Sequence, residues 1–353
     1  MTTVLALIVV LGVLIFFHEL GHFLMARLFG VGVERFSLGF GPRLFGLQRG
    51  RTDYRVSAFP LGGYVKMVGE NPDEEISEAD IPESFTHKPV SRRIFIVAAG
   101  PTFNLLLAVL IFYGLYLTYG TLWLKPVIGQ VSPDMPAQAA GLQPGDEVVQ
   151  INGAAIKKWE ELAALIDGSN GRELTLVINR GGDNLTLTAK PVLVDGQTIF
   201  GEPRKRSVLG IVASGDVVRE RVGPLTALSM SLASTWDIIR LTAIGVAKMI
   251  SGALSTKELG GPILIAQMAG QQAEEGLASF LSFMAFISIN LAILNFLPIP
   301  VLDGGHLMFY TIEIIRRKPV SVKARERAQQ FGMAALMALM VLVFYNDITR
   351  LFE

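Results

Sequence analysis

The sequence predicts a polytopic α-helical membrane protein with about four transmembrane helices, a cytoplasmic membrane-associated β-hairpin and an extracytoplasmic α+β domain. Three observations carry this expectation. Hydrophobic residues make up 51% of the 353 residues and charged ones 18%, a balance too apolar for an ordinary soluble domain. Apolar runs of spanning length recur at residues 4–29, 94–119, 280–297 with a continuation to 315, and 331–344 with its flanks. Between the second and third runs lies a stretch of short alternating strands and glycine turns, the patterning of a water-facing domain.

The first run lacks the basic start and small-residue cleavage site of a signal peptide, so it reads as a retained helix. Arg27, Arg35, Arg43, Arg92 and Arg93 lie between the first and second runs. Arg316, Arg317, Lys318, Lys323, Arg325 and Arg327 crowd between the third and fourth. Both loops are therefore expected in the cytoplasm, with both termini and the middle region outside. The fourth run is short, and Gly332, Asn346 and Asp347 set its limits. Residues 225–254 carry Asp237, Arg240 and Lys248 among Leu228, Leu232, Trp236, Ile239 and Ile244, the pattern of a helix lying on a membrane. If it lies there, Asp303 reaches the depth of His18, about 20 Å below residue 4. The chain thus divides into 1–124 with the first two spans, 125–194 as the outer domain, 195–279 as linker and interfacial helix, and 280–353 with the last two spans.

Equal numbers of basic and acidic residues, 31 each, argue against nucleic acid as a partner and leave the lipid bilayer as the main surroundings. The absence of cysteine excludes disulfides and leaves histidine and carboxylate as the metal ligands available. In the outer domain, strands at 127–131 and 147–151 flank Gly141-Leu142-Gln143-Pro144-Gly145-Asp146, followed by Asn152-Gly153. A helix at 159–166 and a hairpin closed by Gly181-Gly182 complete it. This order resembles the bacterial PDZ domain, which implies capture of an exposed peptide C-terminus by strand addition.

His18-Glu19-Leu20-Gly21-His22 lies inside the first apolar run. Helical positions four apart share a face, so both imidazoles can hold one metal, with Glu19 beside them to handle a proton. Ionisable side chains are costly in hydrocarbon, which makes three within one turn a functional signal. Zinc needs a further ligand, and Leu28 stands where another common pattern would place a third histidine. The best candidate is Asp303, in the segment from Asn295 through Pro298 and Pro300 to His306. The prolines break the helix, and a bound cation would offset the expense of a carboxylate in an apolar setting.

Taken in order, five further features complete a resemblance to the site-2 protease family, most closely to its bacterial RseP-type branch. They are Phe59-Pro60-Leu61-Gly62-Gly63-Tyr64, Gly100-Pro101-Thr102-Phe103-Asn104, the PDZ-like insert, Gly261-Pro262-Ile263 and Leu302-Asp303-Gly304. The likeness covers essentially the whole chain. It implies a multi-pass zinc endopeptidase of the bacterial inner membrane that cleaves single-span transmembrane proteins after prior trimming. Anti-sigma factors and remnant signal peptides are the substrate classes it suggests. It also implies that His18, His22 and Asp303 hold Zn²⁺ and that Glu19 acts as general base. One departure is that this chain has a single PDZ-like domain where the best-studied Gram-negative members carry two.

Asn295 and Asn104 are expected to hydrogen-bond substrate backbone or the metal-site loop, although an intramembrane asparagine also serves as interhelical glue. His306 lies close enough to Asp303 in sequence to support it, whereas His87 reads as a loop residue. Residues 54–67 read as a hairpin turning at Gly62-Gly63 into Tyr64, whose edge would hold a substrate extended. The acidic stretch 73–83 reads as a solvated loop. Two other classes share parts of this pattern, a catalytically silent PDZ-bearing scaffold and a transporter. The scaffold would have no reason to keep Glu19, and a transporter would show internal repeats.

Overall fold

The computed structural model describes residues 2–70, 76–255, 257 and 259–352, with backbone alone at 60 and 61. Of the acidic stretch, 73–75 lie outside the described residues. In chain order the elements begin with α1 (Thr2–Leu28), β1 (Val33–Arg49), β2 (Thr52–Met67), a 3-10 turn (Glu78–Glu83) and α2 (Val90–Tyr119). There follow β3 (Thr121–Leu124), β4 (Ile128–Val131), α3 (Pro136–Ala139), β5 (Glu147–Ile151), β6 (Ala154–Ala155) and α4 (Trp159–Gly168). The strands β7 (Leu174–Arg180), β8 (Asp183–Ala189), β9 (Val192–Gln197), β10 (Pro203–Val208), β11 (Ile211–Ala213) and β12 (Val217–Glu220) come next. The chain closes with α5 (Pro224–Ile250), α6 (Pro262–Glu275), α7 (Leu277–Phe296), α8 (Asp303–Arg316) and α9 (Val322–Arg350). These form two compact units, Met1–Leu115 with Leu228–Glu353, and Tyr116–Ala227.

In the first unit, α1, α2, α7 and α9 are, among the described residues, the four helices long and apolar enough to cross a membrane. Their packing uses small side chains at close approaches. Ala6, Val10 and Leu14 of α1 meet Leu107 of α2, Ala269 of α6, and Phe283 and Met284 of α7. The third run is broken where its prolines predict, since α7 ends before Pro298 and Pro300 and a new helix starts at Asp303. Two boundaries of the fourth run differ from the sequence reading. The fourth run does not stop at Gly332 or Asp347. Gly332 packs against Pro300 and Val301, and the Asp347 carboxylate accepts the backbone N–H groups of Gly261, Ile263 and Leu264 at 2.8, 2.9 and 3.2 Å. Helix α9 thereby caps the N-terminus of α6, a helix that the sequence reading left inside a linker.

The hairpin also turns elsewhere. The chain reverses at Gly50-Arg51, and β2 continues through Gly62-Gly63. Its 63–67 segment pairs with β1 from Leu38 back to Val33, so the glycines are a bend in a strand and not its turn. Helix α5 sets Ile238 and Ile239 against Ala108 of α2 and Ala285 and Ile289 of α7, and Thr242 donates to Asn290 Oδ1 at 3.1 Å. The same helix exposes Leu225, Leu228, Leu232 and Trp236.

The second unit is a small α+β domain. A four-stranded sheet of order β6-β5-β7-β8 packs with α3 and α4 around Ile128, Leu142, Val148, Leu162, Leu176 and Ile178. Pairs β4–β11, β3–β12 and β9–β10 surround it. The residues read as linker at 195–222 form the strands β10, β11 and β12 and the end of β9. Leu209 belongs to the core and Ile211 packs against it, so this segment is part of the domain.

Candidate metal centre

One face of α2 organises the site. Ile96, Gly100 and Asn104 recur at helical spacing and meet the two histidines of α1 in turn. His22 Nδ1 donates to the Ile96 carbonyl at 2.9 Å, which fixes the proton on Nδ1 and leaves Nε2 with its lone pair. At Gly100 a Cβ would overlap His22 Nε2, so only glycine lets α2 approach this closely. Asn104, fully buried, brings its side-chain amide nitrogen 3.3 Å from His18 Nδ1, while its backbone carbonyl accepts the Ser288 hydroxyl at 2.8 Å. Both rings are thus held by their Nδ1 sides and point Nε2 to one place.

Asp303 reaches that place from the first turn of α8. Its Oδ2 lies 3.2 Å from His18 Nε2 and 3.5 Å from His22 Nε2, and the two nitrogens are 3.3 Å apart. Gly304 and Gly305 allow the approach, since a Cβ at either would overlap backbone between Phe296 and Pro300. Asp303 Oδ2 is buried without a hydrogen-bond partner. Three electron-rich atoms facing one point repel one another unless a cation lies between them. Tetrahedral nitrogen and oxygen ligands at about 2.0–2.1 Å from zinc stand roughly 3.3 Å apart, so the observed spacing fits the metal the family implies.

Glu19 is buried beside them, against the bend of β2. A Cβ at Gly63 would stand 2.9 Å from Glu19 Cγ and 2.7 Å from Ile15, and the Val65 backbone hydrogen-bonds the Glu19 carboxylate. Tyr64 follows, its ring stacked parallel to Phe40 at 6.1 Å between centroids. A cavity of about 930 Å³ is lined by His18, Glu19, His22 and Asp303 together with Gly63 and Tyr64. The geometry therefore gathers His18, Glu19, His22, Asp303, Asn104, Gly63 and Tyr64. Gly62 is one residue away, its φ of 154° bending the strand. Asn295 lies on the last turn of α7, half-buried, with no hydrogen bond to the cluster among the described residues. His306 lines the same cavity, and His87 bonds Ser84 Oγ at 2.9 Å in the loop before α2. Sequence reasoning missed Ile96 and Gly100 as supports for the histidines. Their spacing with Asn104 was the available signal.

The chain matches the model of peptidase family M50 over residues 6–339. A candidate zinc metalloprotease of Mesorhizobium japonicum is 36% identical over 360 residues, covering 98% of each chain. One from Campylobacter jejuni is 38% identical over 350 residues, covering 98% of this chain and 93% of its own. A third, from Neisseria meningitidis, is 34% identical over 446 residues and covers 99% of this chain, so it carries segments without a counterpart here. Among solved structures, the PDZ domain of the SdrC-like protein from Listeria monocytogenes is 25% identical, with a TM-score of 0.20, covering 27% of this chain and 90% of its own. With the helices, the metal-fitting cluster and these relatives together, the chain belongs to peptidase family M50, the site-2 protease family, and is a zinc metalloprotease of the membrane.

Proposed function

We propose that this protein is an intramembrane endopeptidase that cleaves single-span transmembrane proteins after their outer part has been removed. The observation that carries the reading is the convergence of His18, His22 and Asp303 to within 4.8 Å of one another beside buried Glu19, with the histidines and Glu19 on α1, a helix of spanning length, and Asp303 at the start of the shorter α8. His18, His22 and Asp303 would hold zinc, which supplies Lewis acidity and a water of lowered pKa when bound. Glu19 would take a proton from the attacking water and pass it to the leaving nitrogen.

A peptide must be extended to be cut, and β2 offers the means. Among the described residues its 63–67 segment pairs with β1 alone, and its Gly63-Tyr64-Val65 stretch faces Glu19. Strand addition there would straighten a substrate helix next to the general base. Gly62, Gly63 and Tyr64 are the residues proposed to contact it, with Asn295 as a further candidate at the end of α7. The basic loops favour a cytoplasmic hairpin and an extracytoplasmic PDZ-like unit in a bacterial inner membrane. That unit would take exposed peptide C-termini.

The test is cleavage of a single-span model substrate, trimmed on its outer side, by purified wild-type protein and by Glu19→Gln in detergent with zinc. Cutting by wild type and not by Glu19→Gln, with zinc bound to both, supports the reading. Zinc binding without cutting by either points to a wrong substrate or presentation. Failure of the wild type to bind zinc leaves the scaffold reading.

A further inference from the structure

The face of α2 that supports the histidines continues one turn further, to Arg93. Arg93 gives both guanidinium ends to Glu313 of α8, at 2.7 and 3.4 Å, and its Nε donates to the Lys88 carbonyl at 3.1 Å. Its plane also lies 4.9 Å from the centre of the Tyr310 ring. Both charged side chains are nearly enclosed, at 10% and 11% exposure. Arg325 of α9 also approaches Glu313 Oε2, at 3.6 Å. Along α8, Asp303, His306, Tyr310 and Glu313 share one helical face, so the helix presents its metal-facing carboxylate at one end and this ion pair at the other.

An enclosed ion pair is a poor source of stability, because desolvation consumes most of the Coulombic gain, and apolar replacements often do as well. What such a pair does supply is register, since a bidentate guanidinium accepts one geometry. Helix α8 needs it. Its N-terminus follows the Pro298 and Pro300 break, and its C-terminus ends at Arg317 in a left-handed conformation, so neither flank is a continuous helix. A rotation or slide of α8 would carry Asp303 off the histidines.

We propose that Arg93 and Glu313 are positioning residues that lock α8 to α2 and thereby hold the Asp303 carboxylate on the histidine pair. The proposal rests on the reading of Asp303 as a zinc ligand. One face of α2 then sets the whole centre, Arg93 acting through α8 and Asp303, and Ile96, Gly100 and Asn104 acting directly on the rings.

The experiment is zinc affinity of the purified full chain, by chelator competition, in a cycle of Glu313→Gln, Asp303→Asn and the double variant, with thermal midpoints of the metal-free proteins alongside. Glu313→Gln is expected to weaken zinc binding about tenfold or more, the range seen when support of a ligand is lost. In the Asp303→Asn background the same change is expected to do nothing, because the ligand it places is gone. Should Glu313→Gln leave wild-type affinity unchanged, or weaken both backgrounds equally, the proposal is overturned. Arg93→Lys, which keeps the charge and loses the fork, runs through the same cycle and decides the matter if Glu313→Gln does not fold. An Asp303→Asn variant that binds zinc as tightly as wild type would instead overturn the ligand assignment, a failure distinct from that of the lock.

Discussion

Two aspartates, one in each unit, sit next to a glycine in short motifs and meet opposite surroundings. Asp146, in the turn before β5, is 1% exposed and fully supplied with donors. It accepts Arg180 Nε at 2.7 Å, Arg180 Nη2 at 2.8 Å and the Gln143 N–H at 2.8 Å. Asp303, at the start of α8, has an Oδ2 with no hydrogen-bond partner and two imidazole nitrogens 3.2 and 3.5 Å away. Protein interiors satisfy the carboxylates they use for structure. A carboxylate oxygen left short of donors, facing two imidazole nitrogens, is an arrangement that a cation fits.

The sharpest test of this contrast exchanges the two losses. Asp146→Ala is expected to destabilise the second unit by roughly 2–3 kcal/mol, through lost charged hydrogen bonds, with zinc affinity unchanged. Asp303→Ala is expected to lower zinc affinity more than about 100-fold, beyond the range for lost outer support. The metal-free Asp303→Ala protein should melt no earlier than wild type, because an unpaired buried charge has been removed. Calorimetry with and without chelator reads all three quantities. If Asp303→Ala melts early without metal, Asp303 is a structural carboxylate like Asp146 and the comparison collapses.

Asp347 is the intermediate case, a carboxylate inside the apolar helix α9 whose donors come from another element. Asp347→Ala is expected to cost about 2 kcal/mol, the upper range for a lost cap, and to speed hydrogen exchange at Gly261, Ile263 and Leu264 with zinc affinity unchanged. The same residue shows what could be read in advance. The four long helices, the His18–His22 pair and the approach of Asp303 follow from apolar runs, spacing and expensive charge, all visible along one chain. Asp347 in the sequence resembles a stop, because a carboxylate ends an apolar run unless something meets it. Its partners are backbone amides some 84 residues away, which no local pattern announces. The turn at Gly50-Arg51 was hidden for a related reason. Gly62-Gly63 is the stronger turn signal, and only the closeness of Ile15 and Glu19 explains glycine there as clearance and not reversal. Gly100 was legible as part of a motif but not as the space that the histidine rings fill.

The smallest effect expected concerns Asn104 and decides what kind of residue it is. With its Nδ2 3.3 Å from His18 Nδ1, the Asn104 Oδ1 is left buried without a partner. His18 can direct an Nε2 lone pair at the metal position only if Nδ1 carries the proton, and that proton needs an acceptor. A half-turn of the amide, which exchanges two atoms of nearly equal size, gives Nδ1–H its acceptor and removes the stranded oxygen at once. Asn104 then does for His18 what the Ile96 carbonyl does for His22. Asn104→Asp should keep zinc affinity within a few-fold of wild type, since a carboxylate accepts the same bond, whereas Asn104→Leu should lose about tenfold, or about 1.4 kcal/mol. Equal loss in both variants would mean that the side chain matters only for packing. Unchanged zinc affinity with a raised KM in both would make it a substrate contact. Either result would separate the two histidines, leaving the Ile96 carbonyl as the sole fixed acceptor and His18 oriented by the metal alone.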